Sequence, residues 1–375
     1  MQIDRVELSR ELISFNTINP PGNELSCIQH LEKILVGAGL ETSLQNFAPD
    51  RANLIARTRG KGSKAPLCFT GDVDTVPLGE APWSVDPFAG EIVDGKMYGR
   101  GSTDMKCGVA ALVAAICNMT EQLESTSGAV LVITAGEEIG CEGAFHLARA
   151  GVLGSAGAVV VAEPTSNAAL VGHKGALWLR LTIKGVTAHG SMPHLGVNAA
   201  YKAARVLTAL ETFQFNVAPH PYLGSPTLNV GTVRAGLNVN SVPDLAEIGI
   251  DIRSIPGLDH SRIQEHLKSE LGEDISLEPI VDVGAVWTDP SCSWIKDLYG
   301  VVRDVTGEDP GSEPRTAPYF TDASALTPAF GNPPTIILGP GEAAKAHQTD
   351  EYCFVQRIRE ASDIYGRIAA KWNSK

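Results

Sequence analysis

A short apolar run, Val130 to Ile133, ends directly in the segment Ala135-Gly136-Glu137-Glu138-Ile139-Gly140. The β-branched run predicts a buried strand. Two adjacent carboxylates at the end of a buried strand raise each other's pKa, and a divalent cation is the strongest local charge that removes this cost. One carboxylate could then bind a metal while its neighbour acts as a base. On this pair alone, a solvated loop with two surface glutamates is an equally good interpretation.

Carboxylates also follow other apolar runs of the chain. Asp72 and Asp74 follow the run 67–70, and Glu163 follows the run 158–161. Because these runs alternate with helical segments, they predict an α/β fold with a mixed, mostly parallel sheet flanked by helices. Ligands of such sheets bind outside the carboxyl ends of the strands. We therefore expect a cluster of carboxylates that requires cations, formed by Asp72, Asp74, Asp104, Glu137, Glu138 and Glu163.

Two helix starts are predicted from capping residues. Ser102 or Thr103 is expected to cap a helix that begins near Met105, with Asp104 at its amino-terminal end, where the helix dipole favours a carboxylate. This helix is apolar nearly all round, which predicts that it is buried. Asn23 is expected to cap an earlier helix.

The pattern changes near Trp178. Alternating segments at 177–184, 227–234 and 246–253, with helical segments at 198–213 and 261–271, predict a small α+β domain with an antiparallel sheet. Alternating β/α character returns after Trp287. We therefore expect a catalytic domain of residues 1–176 and 288–375, interrupted by an inserted lid and dimerisation domain of residues 177–287. Hinges near Gly175 and Trp287 would let the lid close.

The composition excludes several classes of function. Of the 375 residues, 43% are hydrophobic, which suffices for a full core. The formal net charge is −13, and no basic run appears, so we expect neither a nucleic-acid nor a membrane partner. We expect no signal peptide or transmembrane segment. Seven cysteines without CxxC spacing indicate neither a disulfide framework nor a cysteine zinc site, and cytoplasmic localisation is expected.

Eight segments, in order along nearly the whole chain, resemble the dinuclear-zinc amidohydrolases and peptidases that include acetylornithine deacetylase, succinyl-diaminopimelate desuccinylase and glutamate carboxypeptidase. A single motif of this kind is weak, whereas eight in order are strong. The segments are GDVDTVP (71–77), GRGSTDMKCG (99–108), GEEIG (136–140), AEPT (162–165), TAHGSMPHLGVNA (187–199), NVNSVPD (238–244), DIRSIPG (251–257) and AHQTDEY (346–352).

The resemblance implies two divalent metal ions, with zinc favoured over cobalt or manganese. Asp104 would bridge them. Glu163 would bind one ion together with Asp72, and Glu138 and His347 would bind the other. Such a bridge holds two metals roughly 3.5–4 Å apart, where a shared water loses its proton near neutral pH.

The resemblance also implies the catalytic and substrate-binding groups. Glu137 would be the general base that takes the proton of the water. Asp74 would orient the site from behind the ligands. His189 would stabilise the oxyanion, often across a homodimer in this family. Arg253 and Asn240 would hold a substrate carboxylate.

One residue departs from the family pattern. The family has His-x-Asp where this chain has Asp72-Val73-Asp74. One ion would then have only carboxylate ligands, namely Asp72, Asp104 and Glu163. Such a site is harder and more anionic, which shifts its preference towards manganese or magnesium relative to zinc. Full activity, altered metal choice and partial impairment all remain open.

The expected function is metal-dependent hydrolysis of the amide bond of an N-acyl amino acid, as in acetylornithine deacetylase. The alternatives within the family are desuccinylation and dipeptidase or glutamate-type carboxypeptidase activity, so the expected partner is a small N-acyl amino acid or dipeptide. An alternative of another class is a non-catalytic ligand-binding relative, which the change at Asp72 motivates.

Overall fold

The computed structural model describes residues 2–272, 274–308 and 313–373. The chain divides into two compact units. The larger unit comprises Met1–Gly172, Trp287–Thr316 and Thr321–Lys375, and the smaller comprises His173–Val286 and Ala317–Phe320. Among the described residues, no helix combines the length and apolar character that a bilayer span requires.

The elements are numbered in chain order. The helices are α1 (Arg5–Ile13), α2 (Leu25–Gly37), α3 (Cys107–Cys117), α4 (Thr120–Glu124), α5 (Glu142–Ala150), α6 (Ala199–Glu211), α7 (His260–Leu271), α8 (Ser293–Thr306), α9 (Ala323–Ala329) and α10 (Val355–Asn373). The strands are β1 (Glu41–Ala48), β2 (Arg51–Arg57), β3 (Leu67–Asp72), β4 (Ile92–Val93), β5 (Lys96–Tyr98), β6 (Ala129–Thr134), β7 (Ala158–Val161), β8 (Leu170–His173), β9 (Gly175–Lys184), β10 (Thr227–Ala235), β11 (Leu245–Ser254), β12 (Ile275–Val283), β13 (Val286–Trp287), β14 (Arg315–Ala317), β15 (Thr335–Ile337) and β16 (Tyr352–Phe354).

The main sheet of the larger unit has the strand order β1-β2-β6-β3-β7-β15-β8-β13, with β14 paired to β8. Its centre is parallel, because β6, β3, β7 and β15 pair in parallel. Antiparallel pairing begins on either side, at β2 and at β8. This mixed sheet flanked by helices confirms the predicted fold class of the larger unit. The central parallel strands all end at the same edge, where the acidic segments follow.

The core of the larger unit lies where the helices cover this sheet. Every residue of β3, β6 and β7 is buried, as expected for parallel strands that are covered on both faces. Every residue of α3 is buried too, as its apolar sequence predicted. Burying a side chain such as Leu112 stabilises the fold by about 1.5–3 kcal/mol.

The predicted capping residues of two helices are wrong. The helix after Asp104 begins at Cys107 and has no side-chain cap, because Ser102–Lys106 forms an irregular turn in which Asp104 is extended (φ −128°, ψ 92°). Asn23 does not cap α2, whose N-cap residue is Glu24. Asn23 has a φ of 74°, whereas an N-cap residue adopts extended angles.

The smaller unit has the strand order β10-β11-β9-β12, and all three pairings are antiparallel. Helices α6 and α7 pack on one face, against alternate residues of the strands such as Leu179 and Ile250. Asn198 caps α6 through its side chain. This separate antiparallel sheet confirms the rest of the predicted fold class. The strand β12 was not predicted, because Pro279 and the adjacent bulge interrupt its alternation.

Candidate metal centre

Three predicted ligands meet in the larger unit. One ligand atom each from Asp104, Glu138 and His347 lies within 4.8 Å of the others. The His347 Nε2 atom is 3.3 Å from Asp104 Oδ2 and 3.2 Å from Glu138 Oε2. One imidazole nitrogen with two carboxylates is a donor set that suits zinc and related divalent cations. The arrangement therefore fits one metal ion.

Two further carboxylates border this trio. Asp72 is the last residue of β3 and Glu163 follows β7, and both are buried. Burial, followed by the charges of Asp104 and Glu138, raises the pKa of Glu163 well above its usual value. Burial, followed by the charges of Asp74 and Glu163, does the same for Asp72. Buried carboxylates that raise one another's pKa fit a second divalent cation, which would remove their mutual repulsion.

The close approach of α3 to the end of β7 places Glu163. A Cβ atom on Gly108 would lie 2.3 Å from the carbonyl oxygen of Ala162, which no larger residue could accommodate without a shift of backbone. The small residue at position 108 therefore lets the segment after Asp104 pack directly beside the strand end that carries Glu163.

Asp74 contacts the loop that carries the two adjacent glutamates. Its carboxylate accepts hydrogen bonds from the backbone N–H groups of Gly136 at 2.6 Å, Glu137 at 3.1 Å and Glu138 at 3.4 Å. The side-chain amide of Asn19 donates a fourth at 2.9 Å. Burial raises the pKa of Asp74 to about 6 although these bonds act to lower it. Asp74 therefore fixes the backbone of the loop, a contact that the sequence did not predict.

Glu137 lies outside the trio. Its residue is only 8% exposed, and burial, followed by the charges of Glu163 and Asp72, raises its pKa well above the usual value. A buried carboxylate beside candidate metal ligands, and not grouped with them, has the surroundings that a general base requires.

Asn19 and Asp322 belong to the site although neither is among the residues that the sequence predicts for it. Asn19 donates to Asp74 from the segment before Pro20. Asp322 is buried and accepts a hydrogen bond from the hydroxyl of Thr134. Burial raises its pKa to about 7, and its charge contributes to the raised pKa of Asp72. Asp322 therefore belongs to the acidic cluster.

His189 and Asn240 lie together in the smaller unit. The backbone N–H of Gly190 donates to the carbonyl of Asn240 at 2.8 Å. The N–H of Ser191 donates to Nδ1 of His189 at 3.2 Å. Because Nδ1 accepts, a neutral His189 ring carries its proton on Nε2, and Nε2–H is the group that could donate to an oxyanion.

Arg253 lies on the face of the small sheet that α6 and α7 do not cover. Its guanidinium binds Asp251, with 2.9 Å between Nε and Oδ1, and lies over the ring of Phe320 at 5.9 Å. Trp178 packs edge-on against Phe320. Burial, followed by the charge of Arg253, lowers the pKa of Lys174. Two cations thus share this face with one carboxylate and two aromatic rings.

The small sheet separates Arg253 from the loops of His189 and Asn240. Arg253 is opposite Ala176, and Leu245 is opposite Lys184, at the other end of the same pair of strands. The eight residue steps from Leu245 to Arg253 span about 27 Å along the strand. The His189 loop lies beyond the Leu245 end, because His189 bridges to Ser241.

The fold and the acidic, imidazole-containing site define a metal-dependent hydrolase. The chain matches peptidase family M20/M25/M40 over residues 68–371 and belongs to that family. It is 30% identical to acetylornithine deacetylase of Myxococcus xanthus, covering 96% of this chain and 95% of the relative. It is 28% identical to a probable succinyl-diaminopimelate desuccinylase of Staphylococcus epidermidis, covering 96% of each.

A solved structure shares the same fold. The M20 family metallo-carboxypeptidase Sso-CP2 from Sulfolobus solfataricus matches with a TM-score of 0.79 and 18% identity, over 98% of each chain. The predicted family and the predicted hydrolytic enzyme class are confirmed.

Proposed function

We propose that this protein is a dinuclear metal amidohydrolase that removes the acyl group from an N-acyl amino acid, as acetylornithine deacetylase does. The observation that carries the proposal is the trio of Asp104, Glu138 and His347 beside the buried, ungrouped carboxylate of Glu137. The relative from Myxococcus xanthus, at 30% identity, supports the choice of acyl group.

Five residues would hold the two ions. Glu138 and His347 would bind one, Asp72 and Glu163 the other, and Asp104 both. When bound, the ions would lower the pKa of a water molecule and polarise the amide carbonyl. The site with His347 has a nitrogen ligand and suits zinc, with cobalt as a substitute, whereas the all-carboxylate site of Asp72 suits manganese.

Glu137 would act as the general base. Its carboxylate would take a proton from the attacking water and deliver it to the leaving amine, so the acid and base roles are combined in one group. Asp74 would keep the carboxylate of Glu137 in place, because it accepts from the backbone N–H groups of Gly136 and Glu137. Asn19 would in turn hold Asp74.

The smaller unit would supply the remaining groups. Arg253 would bind the α-carboxylate of the substrate, since a guanidinium pairs with a carboxylate through two hydrogen bonds. Lys174 adds a second positive charge nearby, which supports an anionic ligand. His189 would donate from Nε2 to the oxyanion, and Asn240 would hold the substrate beside it. Residues 177–287 would act as a lid on the catalytic residues 1–176 and 288–375.

We further propose that His189 and Asn240 act in the partner of a homodimer. A small N-acyl amino acid cannot span the strand length of about 27 Å that lies between Arg253 and the end of the sheet near His189. Arg253 and His189 of one copy would therefore serve different substrates. The end of the small sheet near His189 also carries exposed apolar side chains, including Leu237 and Val239, which are fully exposed. Exposed apolar patches of this kind mark protein interfaces, and β10 leaves an unpaired strand edge there.

A cytoplasmic location fits the chemistry of the chain. Each of the seven cysteines is an unpaired thiol, as expected in a reducing compartment.

The test is a substrate panel. Protein loaded with zinc, cobalt or manganese would be assayed for amine release from N-acetyl and N-succinyl amino acids and from dipeptides. We expect release from N-acetyl amino acids, with the fastest rate for one of them. Release from dipeptides alone would replace the deacylase assignment with a peptidase, and no release from any compound with any metal would refute the hydrolase.

A further inference from the structure

The carboxylate of Glu351 lies at the centre of the turn that carries Asp104. Its side chain is 1% exposed and binds the equally buried Arg100, with 2.5 Å between Nη1 and Oε2. Oε2 also accepts from the backbone N–H of Gly101 at 3.1 Å. Oε1 accepts from the N–H groups of Thr103 at 2.8 Å and Asp104 at 3.0 Å. One carboxylate therefore accepts from four N–H groups, three of them from a single turn.

The turn needs an acceptor from elsewhere in the chain. Asp104 and Met105 have non-helical backbone angles, so regular helical hydrogen bonding begins only with Cys107. A buried N–H group without an acceptor is destabilising, because it has lost its hydrogen bond to water. Hydrogen bonds to an ionised carboxylate are about twice as strong as neutral ones. Glu351 therefore fixes the stretch of backbone from which the Asp104 carboxylate projects.

The segment that contains Glu351 also connects the turn of Asp104 to His347. Glu351 follows His347 by four positions, and its carbonyl accepts from the N–H of Gly99 at 3.0 Å. The next carbonyl, of Tyr352, accepts from the hydroxyl of Thr103 at 2.8 Å. Two loops that are far apart in sequence, each with a candidate metal ligand, are thus joined through one buried residue.

We propose that Glu351 is the positioning residue of the metal centre: it holds the Asp104 carboxylate at the right place relative to the His347 imidazole and thereby controls metal affinity. The inference rests on the proposed function, in which Asp104 and His347 bind metal. Glu351 is not itself a proposed ligand, because its carboxylate accepts from Arg100 and from the backbone of the turn. Groups that hold metal ligands in this way typically change affinity by about 10–100-fold when they are altered.

Glu351→Gln tests the proposal with little change in shape. The amide nitrogen of glutamine is a donor and would face N–H groups that now have an acceptor. We expect the Kd for Zn²⁺, measured by competition with a chromophoric chelator, to rise about 10–100-fold. We also expect the visible absorption of the Co²⁺-loaded protein to change, because it reports the geometry of the ligands.

Thr58→Val is the matched control. The Thr58 hydroxyl accepts from the N–H of Ala129 at 2.8 Å, at the first residue of β6, whereas the proposed ligand Glu138 follows the last residue of that strand. The variant therefore removes a buried hydrogen bond and should lower Tm without altering the Kd for Zn²⁺ or the Co²⁺ spectrum. If Glu351→Gln behaves like this control, Glu351 is only a structural residue and the proposal is overturned.

A second variant covers the case in which Glu351→Gln does not fold, as judged by far-UV circular dichroism. Arg100→Lys keeps the positive charge but loses the contacts of the guanidinium with Glu351 and with the carbonyl of Pro77. We expect a several-fold higher Kd for Zn²⁺, and an unchanged Kd would overturn the proposal. Wild-type protein that binds no Zn²⁺ at all would instead refute the proposed function on which this inference rests.

Discussion

The free energy of unfolding of the metal-free protein should fall as the pH rises. Burial is the main cause that raises the pKa of Glu138 and of Asp322 to about 7, and that of Asp74 to about 6. The folded protein therefore keeps protons that the unfolded chain, with ordinary pKa values near 4, has already released. The stability from these groups is complete below about pH 4 and is lost as the pH rises through 6 and 7.

The magnitude follows from the two pKa values of each group. For Glu138, the difference between 4.5 and about 7 corresponds to roughly 3 kcal/mol. In a domain of this size, roughly 3 kcal/mol shifts Tm by about 6 °C or more. His347, whose pKa is raised to about 10 by its hydrogen bonds to Asp104 and Glu138, acts in the same direction from pH 6.5 upward. Its side chain is 53% exposed, so solvent screening reduces its share.

One buried histidine opposes this trend. Burial lowers the pKa of His173 to about 4, so its contribution to stability is present above pH 6.5 and is lost as the pH falls. Between pH 6.5 and 5 this amounts to roughly 2 kcal/mol. Several carboxylates have the opposite effect and stabilise the folded protein at low pH. Together they outweigh His173, so the overall stability falls as the pH rises.

The assay is differential scanning calorimetry of chelator-treated protein between pH 5 and 8, at constant ionic strength. We expect Tm to fall by about 6 °C or more over this range, and we expect added Zn²⁺ or Mn²⁺ to raise Tm most at pH 8. Asp322→Asn, which removes one acidic group without removing a proposed ligand, should give a shallower fall. A Tm of the metal-free protein that is constant or rises from pH 5 to 8 would refute the reasoning.

Three substitutions test the proposed roles of single residues. Asp72→His adds a nitrogen ligand, so kcat/KM with zinc should rise relative to kcat/KM with manganese; an unchanged ratio would contradict the argument about a hard site. His189→Ala should lower kcat by about 10²–10³-fold with little change in KM, and mixing it with Glu137→Ala protein should restore activity if His189 acts across a dimer; an unchanged kcat would contradict its role. Arg253→Ala should raise KM by about 10–100-fold for substrates with a free α-carboxylate and much less for their amides, and an equal rise for both would show that Arg253 does not bind that group.

The fold could be predicted from the sequence where the local hydrophobic pattern of a segment matches its burial in the folded protein. Strands β3, β6 and β7 are continuous apolar runs because both faces are covered, and their ends could be located from the carboxylates that follow. The small sheet showed its alternation because helices cover only one of its faces. The strand β12 was missed because Pro279 breaks that alternation, although the pairing with β9 continues on either side.

The turn at Asp104 could not be predicted from local sequence. A capped helix was expected there, but the N–H groups of Thr103 and Asp104 are satisfied by Glu351, nearly 250 positions later. Asp322 is absent from the predicted site for a similar reason, because its hydrogen-bond partner Thr134 lies on a distant strand. Contacts of this kind depend on the folded topology, which periodicity and capping rules do not contain.

The central claim is that Glu137 activates a metal-bound water without itself binding the metal. It is tested most directly by measuring, in one preparation of Glu137→Gln, both the metal content and the rate of amine release from the best N-acyl amino acid of the panel. We predict the metal content of the wild-type protein and a kcat lower by about 10²–10⁴-fold. A kcat close to that of the wild type, or a loss of metal that matches the loss of rate, would contradict the account.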